Sequence, residues 1–193
     1  MTVEDVEAGW EDRWRDFHRP VAVGALWVGP PWASPPTELI PVVIDPGRAF
    51  GTGGHATTRL CVEVLQELPP ASLLDVGCGS GVLAIAAAKL GHAPVTAVDA
   101  DPAAVDATLR NAAMNDATVA AHVGDAATAP LPAARAAIAN IALAAVEAIV
   151  PRLDVTVVVT SGYLGRDRPD LAGFRHTGRR TLDGWAADSW ERE

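Results

Sequence analysis

The sequence predicts an α/β fold in which a mostly parallel sheet carries helices on both faces. From residue 72 onward, short apolar runs alternate with helical segments, which is typical of parallel β-strands joined by crossover helices. A glycine-rich loop, "DVGCGSG" at 75–81, follows the first of these strands and precedes a helix. The chain has 193 residues, of which 49% are hydrophobic, so it is long and apolar enough for one domain with a substantial core.

A helix is expected at the N-terminus, over residues 1–20. Trp10, Trp14 and Phe17 recur there at helical spacing. This spacing predicts a stripe of aromatic side chains that packs against the rest of the domain.

Short strands interrupted by Gly and Pro follow at 21–32 and 38–45. No linker separates these strands from the alternating segments. We therefore expect a single domain, 1–193, made of an extension at 1–44 and a core at 45–193.

The core elements follow in order along the chain. Asp101 is expected to cap a helix that begins at Pro102 and turns Val105 and Leu109 inward. The tail from 173 predicts two antiparallel edge strands that pack Trp185 and Trp190. The other predicted strands lie at 72–76, 95–99, 118–125, 136–141 and 155–162, and the other predicted helices at 57–68, 82–90 and 142–150.

Charge and composition exclude several classes of protein. The net charge of −9 disfavours nucleic-acid binding and permits attraction to a basic partner. No apolar run reaches the roughly 18–20 residues of a membrane span, and the charged N-terminus carries no secretory signal. Two cysteines, Cys61 and Cys78, suggest neither a disulfide framework nor a metal site. We therefore expect a cytoplasmic protein that binds no metal, nucleic acid or membrane.

The loop at 75–81 predicts a cofactor site. Its G-x-G-x-G spacing is one residue short of the dinucleotide fingerprint. Asp99 ends the next strand, where a carboxylate can accept hydrogen bonds from ribose hydroxyls. Asp75 suits a cationic ligand better than a pyrophosphate, so the sulfonium of S-adenosylmethionine fits this loop better than NAD does. The alternative is that the glycines serve only tight packing.

Two further polar residues follow predicted strands. Asp125 is a candidate partner for the adenine amino group. Asn140, in "IANI", is expected beside the crevice at the carboxyl ends of the strands, where its amide offers a donor and an acceptor. The alternative for Asn140 is a turn or capping residue.

The combined motifs resemble a known family. The chain carries "DPGRAFGTGGHATT", "LLDVGCGSGVLAIAAAKLG", "AVDADPAAVDATLRNAAMN", "IANI" and "SGYL" in this order. It thus resembles the bacterial ribosomal protein lysine methyltransferases that modify large-subunit protein eleven, over nearly its whole length. The glycine-rich loop is generic to S-adenosylmethionine-dependent enzymes, whereas the first segment combined with "IANI" is more specific.

The resemblance implies a class I S-adenosylmethionine-dependent methyltransferase, with a Rossmann-like seven-stranded sheet and methyl transfer to protein amines. We further expect Asn140 to hold the amine through its side-chain or backbone oxygen, and His55 to assist as a polar contact or proton acceptor. The alternative for His55 is a loop histidine with only a structural hydrogen bond. The loop at 45–58 ends without the Gly-Lys-Ser/Thr of a P-loop, and we interpret it as a flap over the cofactor. The predicted cofactor-binding residues are Phe50, Gly51, Thr52, Thr58, Asp75, Gly77, Gly79, Gly81, Asp99, Ala100, Asp125 and Asn140.

The chain departs from the family pattern in three places. Family members usually carry an N-terminal domain that recruits the ribosomal protein, and this chain begins where the linker to that domain should be. Gly54 and Ala56 stand where the family loop often has Thr and Pro, and the acid often found before "ANI" is absent. A relative without the recruiting domain methylates the beta subunit of electron-transfer flavoprotein, so the catalytic domain alone is compatible with activity.

We therefore expect a protein N-methyltransferase acting on lysine or α-amino groups of a ribosomal or related basic protein. Two alternatives stay open: a small-molecule methyltransferase, and a cofactor-binding or scaffold protein without catalysis. An NAD-dependent dehydrogenase is a weaker rival because of the loop spacing.

Overall fold

The structure is a computed structural model that describes residues 18–46 and 53–193. Several sequence predictions lie outside these ranges: most of the N-terminal helix with Trp10, Trp14 and Phe17, and the loop residues Phe50, Gly51 and Thr52.

A small three-stranded sheet precedes the main one. Strands β1 (Val21–Val23) and β2 (Leu26–Gly29) form an antiparallel hairpin, and β3 (Ile40–Val43) pairs with β2 in parallel. The predicted strand segment 21–32 is therefore two strands. Gly24 lies between them with a positive φ of 57°, which a glycine adopts at little cost.

The main sheet has seven strands, as predicted. Its strands are β4 (Leu73–Val76), β5 (Val95–Asp99), β6 (Ala120–Val123), β7 (Ala136–Asn140), β8 (Val157–Leu164), β9 (Phe174–Leu182) and β10 (Trp185–Arg192). The helices are α1 (Ala56–Leu65), α2 (Val82–Lys89), α3 (Pro102–Met114) and α4 (Leu143–Ile149), followed by a short 3₁₀ helix at Val150–Arg152.

The strand order is β6-β5-β4-β7-β8-β10-β9, and pairing is parallel from β6 to β8. The order reverses between β4 and β7, which places a ligand crevice at their carboxyl ends. The two tail strands are antiparallel, as predicted, but only β9 is at the edge. Strand β10 inserts between β8 and β9, because its buried residues, Trp190 among them, need cover on both sides.

The core lies on both faces of the sheet. Leu73 and Ile138 belong to a cluster with α1, α2 and the small sheet, whereas Leu74 and Ala137 belong to a second cluster with α4. Because neighbouring residues of a strand point to opposite faces, each interior strand needs apolar residues at every position. The continuous apolar runs that predicted these strands have this origin.

Helix α3 differs from its prediction on one point. Asp101 caps it as expected, with its carboxylate accepting from the Ala103 N–H, and Val105 is buried. Leu109, predicted to face inward, is 43% exposed. The buried face of α3 instead carries polar residues, Thr108 and Asn111 among them.

Candidate active site

A cavity of about 640 Å³ opens at the carboxyl ends of β4, β5 and β7. This is the point where the strand order reverses, which is where open α/β sheets bind ligands. The size is that of pockets that enclose a cofactor-sized molecule. The described residues that line it are His55, Thr57, Thr58, Gly77, Cys78, Gly79, Val82, Leu83, Asp99, Asn140, Ile141, Ala142, Gly162 and Trp185.

The glycine-rich loop forms one wall of the cavity. Gly77 has a φ of 75°, and a Cβ atom there would lie 2.4 Å from Cγ2 of Ile141. A side chain at this position would be strained and would fill the cavity edge. The backbone N–H groups of Gly77 and Cys78 both donate to the Val98 carbonyl, at 2.8 and 3.2 Å, so the loop is fastened to the adjacent strand.

Asp99 holds the other side of this loop. Its Oδ2 accepts from the Gly79 N–H at 3.0 Å, and its Oδ1 accepts from the Asp101 N–H at 3.0 Å. These two bonds fix the carboxylate at the cavity wall. Each oxygen keeps a second lone pair, so the fixed carboxylate can also accept from ribose hydroxyls.

Asp75 lies beneath the loop and is 1% exposed. Its Oδ2 accepts from the Ala84 N–H at 3.0 Å, which fastens the first turn of α2, while its Oδ1 has no partner among the described residues. Burial raises the pKa of Asp75 to about 7, and the charge of Asp99 adds to the effect, although the bond from Ala84 opposes it.

Asn140 ends β7 at the centre of the cavity. Its side-chain nitrogen donates to the Thr58 hydroxyl at 3.5 Å. Thr58 is buried in the first turn of α1. With the amide nitrogen directed to Thr58, the amide oxygen is the group that Asn140 offers as an acceptor.

Two rings close another side of the cavity. His55 is the N-cap of α1, and its Nδ1 accepts from the Thr57 N–H at 3.3 Å. The His55 ring meets the ring of Trp185 edge to face, with centroids 4.8 Å apart. His55 therefore has the structural hydrogen bond weighed from the sequence and also lines the cavity.

The cavity brings together the residues that the family resemblance marked: Thr58, Gly77, Asp99 and Asn140, together with Gly79 and His55. The others lie elsewhere. Asp125 is exposed, and its carboxylate accepts from the Ala127 N–H and the Thr128 hydroxyl in a local turn. Asp75, Gly81, Ala100 and Asp125 are not among the described lining residues, and their cofactor contacts stay predictions.

Sequence reasoning missed Trp185 and Gly162 as site residues. Gly162 belongs to β8 and Trp185 to β10. The antiparallel pairing of these strands brings Trp185 opposite Leu164, at the carboxyl end of the parallel strands. The "SGYL" segment was a signal for Gly162, where a Cβ atom would lie 2.2 Å from the Ile141 carbonyl oxygen. Cys78 is buried, and burial raises the pKa of its thiol to about 12, which disfavours the nucleophilic thiolate.

The residues present fit S-adenosylmethionine. The loop carries no cationic side chain for a pyrophosphate, and the wall offers Asp99 to hydroxyl groups and Val82 and Leu83 to an apolar ring. Across the described ranges, no group of three or more His, Cys, Asp or Glu side chains is placed to hold a metal ion. No helix in the same ranges is long and apolar enough to cross a membrane.

The comparisons with known proteins agree with this site. The family model described as "Ribosomal protein L11 methyltransferase (PrmA)" matches residues 1–181. A ribosomal protein L11 methyltransferase of Myxococcus xanthus is 36% identical over 98% of this chain and 69% of its own length. One from Legionella pneumophila is 38% identical over 93% of this chain and 67% of its own length.

The solved structures agree as well. The ribosomal protein L11 methylase of Lactobacillus delbrueckii subsp. bulgaricus has a TM-score of 0.82 and 26% identity, covering 91% of this chain and all of its own. A putative RNA methyltransferase of Pyrococcus horikoshii, 18% identical with a TM-score of 0.58 over 68% of this chain and 82% of its own, shares the class I methyltransferase fold. The chain therefore belongs to the ribosomal protein L11 methyltransferase family, whose members are S-adenosylmethionine-dependent enzymes.

Proposed function

We propose that this enzyme transfers a methyl group from S-adenosylmethionine to an amine of a ribosomal protein, either a lysine side chain or an α-amino group. The observation that carries the proposal is the position of Asn140. It stands where the strand order reverses, beside the glycine-rich loop, with its amide nitrogen directed to Thr58. The amide oxygen is then the acceptor that a primary amine needs.

Alignment is the main task of these residues. When bound, S-adenosylmethionine supplies an electrophilic methyl group on a sulfonium. Asn140 accepts a hydrogen bond from the amine and thereby directs the lone pair of the amine nitrogen toward the methyl group. Holding two reactants in line supplies about 7–11 kcal/mol in favourable cases, so the site needs little further chemistry.

The attacking amine has to be neutral, because a protonated amine has no lone pair. A lysine in water has a pKa of about 10.4. The cavity is lined largely by apolar groups, including Val82, Leu83 and Trp185. Desolvation there disfavours the ammonium form, so the amine loses its proton as it enters the cavity. His55 lies at the wall as the imidazole that can accept it.

Charge supports a basic protein as the partner. The chain carries 24 acidic residues against 15 Lys and Arg, and Asp99 and the exposed Asp101 and Asp125 lie near the carboxyl edge of the sheet. An acidic surface attracts a basic protein and accelerates encounter at low salt.

The test is transfer of labelled methyl from S-adenosylmethionine to a mixture of purified large-subunit ribosomal proteins. Mass spectrometry then locates the label. We expect one labelled protein with a mass increase of one or more methyl groups on an amine. A parallel reaction with a metabolite extract is the control, and label confined to small molecules would refute the protein substrate.

A further inference from the structure

The buried face of α3 carries a stripe of three polar side chains. Thr108, Asn111 and Asn115 follow one another at helical spacing and are 0%, 2% and 4% exposed. Burying uncharged polar groups costs free energy unless each is hydrogen-bonded. The proposed transfer reaction does not use these three side chains. Their hydrogen-bond partners show what else they do.

Two residues of the stripe hold the back of the glycine-rich loop. The Thr108 hydroxyl donates to the Gly79 carbonyl at 3.1 Å, and Nδ2 of Asn111 donates to the Ser80 carbonyl at 2.8 Å. The helix also packs directly on the loop, since a Cβ atom at Gly81 would lie 2.9 Å from the Thr108 side chain. Two consecutive carbonyls of the loop, those of Gly79 and Ser80, are therefore fixed by side chains of α3.

Asn111 also reaches a second segment. Its Oδ1 accepts from the Asp45 N–H at 3.1 Å. Asp45 follows β3, and Ser80 belongs to the glycine-rich loop, so one side chain joins the small sheet to the cofactor loop.

A loop with three glycines has more conformational freedom to lose than most. When a ligand has to order such a loop, the free-energy cost of ordering weakens its binding. A loop that is already ordered avoids this cost, so the ligand binds more tightly. The bonds from Thr108 and Asn111 supply this order in advance, together with the bond from Gly79 to Asp99.

We infer that Thr108 and Asn111 are positioning residues for S-adenosylmethionine: neither is among the described residues that line the cavity, and they act by holding the Gly79 and Ser80 carbonyls. Asn115 is a matched contrast. It is the same residue type and is the C-cap of α3, but apart from a bond to the Asn111 carbonyl at 2.7 Å its side chain bonds to β3. It accepts from the Val43 N–H at 2.8 Å and donates to the Val43 carbonyl at 2.6 Å.

The test compares Asn111→Asp with Asn115→Asp. Each change keeps the acceptor oxygen, removes the donor and places a carboxylate against a carbonyl. Both proteins should lose stability by a similar amount, measured as Tm. Calorimetry should show the Kd for S-adenosylmethionine raised by roughly tenfold or more in Asn111→Asp, since one unsatisfied buried bond corresponds to about that factor. In Asn115→Asp the Kd should stay within about twofold.

A second pair avoids the risk that the aspartate variants fail to fold. Thr108→Val keeps the shape and removes the hydroxyl, whereas Thr108→Ser keeps the hydroxyl. We expect a weaker Kd and faster amide exchange across residues 77–81 in Thr108→Val, with both restored in Thr108→Ser.

Equal Kd changes in Asn111→Asp and Asn115→Asp, or an unchanged Kd in Thr108→Val, would overturn the inference. Both measurements read cofactor binding in the absence of an acceptor. Their outcomes therefore do not depend on which substrate accepts the methyl group.

Discussion

The amide nitrogen of Asn140 lies 3.5 Å from the hydroxyl oxygen of Thr58, although 82 positions separate the two residues in the chain. Thr58 ends the segment "DPGRAFGTGGHATT", and Asn140 belongs to "IANI". The two segments that carry the more specific part of the family resemblance therefore meet at one hydrogen bond. In the structure the amide nitrogen is the end of the Asn140 side chain that faces Thr58.

Replacing Thr58 tests this bond. Thr58→Val keeps the shape of the side chain and removes the acceptor, so the Asn140 amide loses its orientation. We expect kcat for methyl transfer to fall about tenfold, the effect of losing roughly 1.4 kcal/mol of transition-state alignment. Thr58→Ser should retain most of the rate. Equal rates for the Val and Ser variants would count against the bond.

Asp99 and Asp125 were both predicted from the sequence to contact the cofactor, and only Asp99 lines the cavity. Asp99→Ala removes the predicted acceptor for the ribose hydroxyls and releases the Gly79 N–H. We expect its Kd for S-adenosylmethionine to rise about 100-fold, because the lost bonds involve a charged group. Asp125→Ala is the comparison, measured by the same calorimetry. A loss in Asp125→Ala as large as that in Asp99→Ala would show that the adenine contact predicted from the sequence exists.

Asp75 predicts a pH dependence of stability. Burial raises the pKa of Asp75 in the native state to about 7, from its ordinary value of 3.8. Between these values the native state holds a proton that the unfolded state has lost, so the free energy of unfolding falls as pH rises from about 4 to about 7. The slope is at most about 1.4 kcal/mol per pH unit.

Asp75→Asn removes this contribution, because the amide stays neutral throughout. Urea titrations at pH 5 and pH 7 should show a larger loss of stability in the wild type than in the variant. Parallel behaviour of the two proteins would mean that Asp75 is ionised in the native state.

Trp185 should act on the acceptor substrate. Its ring meets His55 at the cavity wall, and a flat apolar ring suits the alkyl chain of a lysine. For Trp185→Ala we expect kcat/KM for the acceptor to fall about tenfold, while the Kd for S-adenosylmethionine stays within about threefold. Trp185→Phe should recover part of the loss. A change confined to cofactor binding would assign Trp185 to the cofactor instead.

Much of the fold could be predicted from local patterns. The strand at 72–76 and the helix at 82–90 were recognisable because buried parallel strands are mostly apolar, with Asp75 as the polar exception here, and Gly91 follows the helix. The prediction for Leu109 was wrong because a hydrophobic pattern predicts a buried face that packs on apolar residues. Helix α3 instead packs on the glycine-rich loop, whose carbonyls accept hydrogen bonds from Thr108 and Asn111. The stripe carried no apolar periodicity that could reveal it.

The site was predictable where motifs are contiguous, as at Gly77, Asp99 and Asn140. Trp185 was not, since its position depends on how β10 inserts between β8 and β9. Nothing near Trp185 in the sequence specifies that pairing. Long-range strand order is the information that the local pattern lacks.

The most direct test of the account is a comparison of wild type and Asn140→Ala in two assays: calorimetric binding of S-adenosylmethionine and labelled methyl transfer to large-subunit ribosomal proteins. The Asn140 amide oxygen is proposed to hold the amine, and Gly77 and Asp99 are predicted to hold the cofactor. We therefore predict that Asn140→Ala binds S-adenosylmethionine within about tenfold of wild type while transfer falls at least about 1,000-fold, equivalent to roughly 4 kcal/mol of transition-state stabilisation. Transfer by Asn140→Ala at a rate near that of wild type would contradict the account.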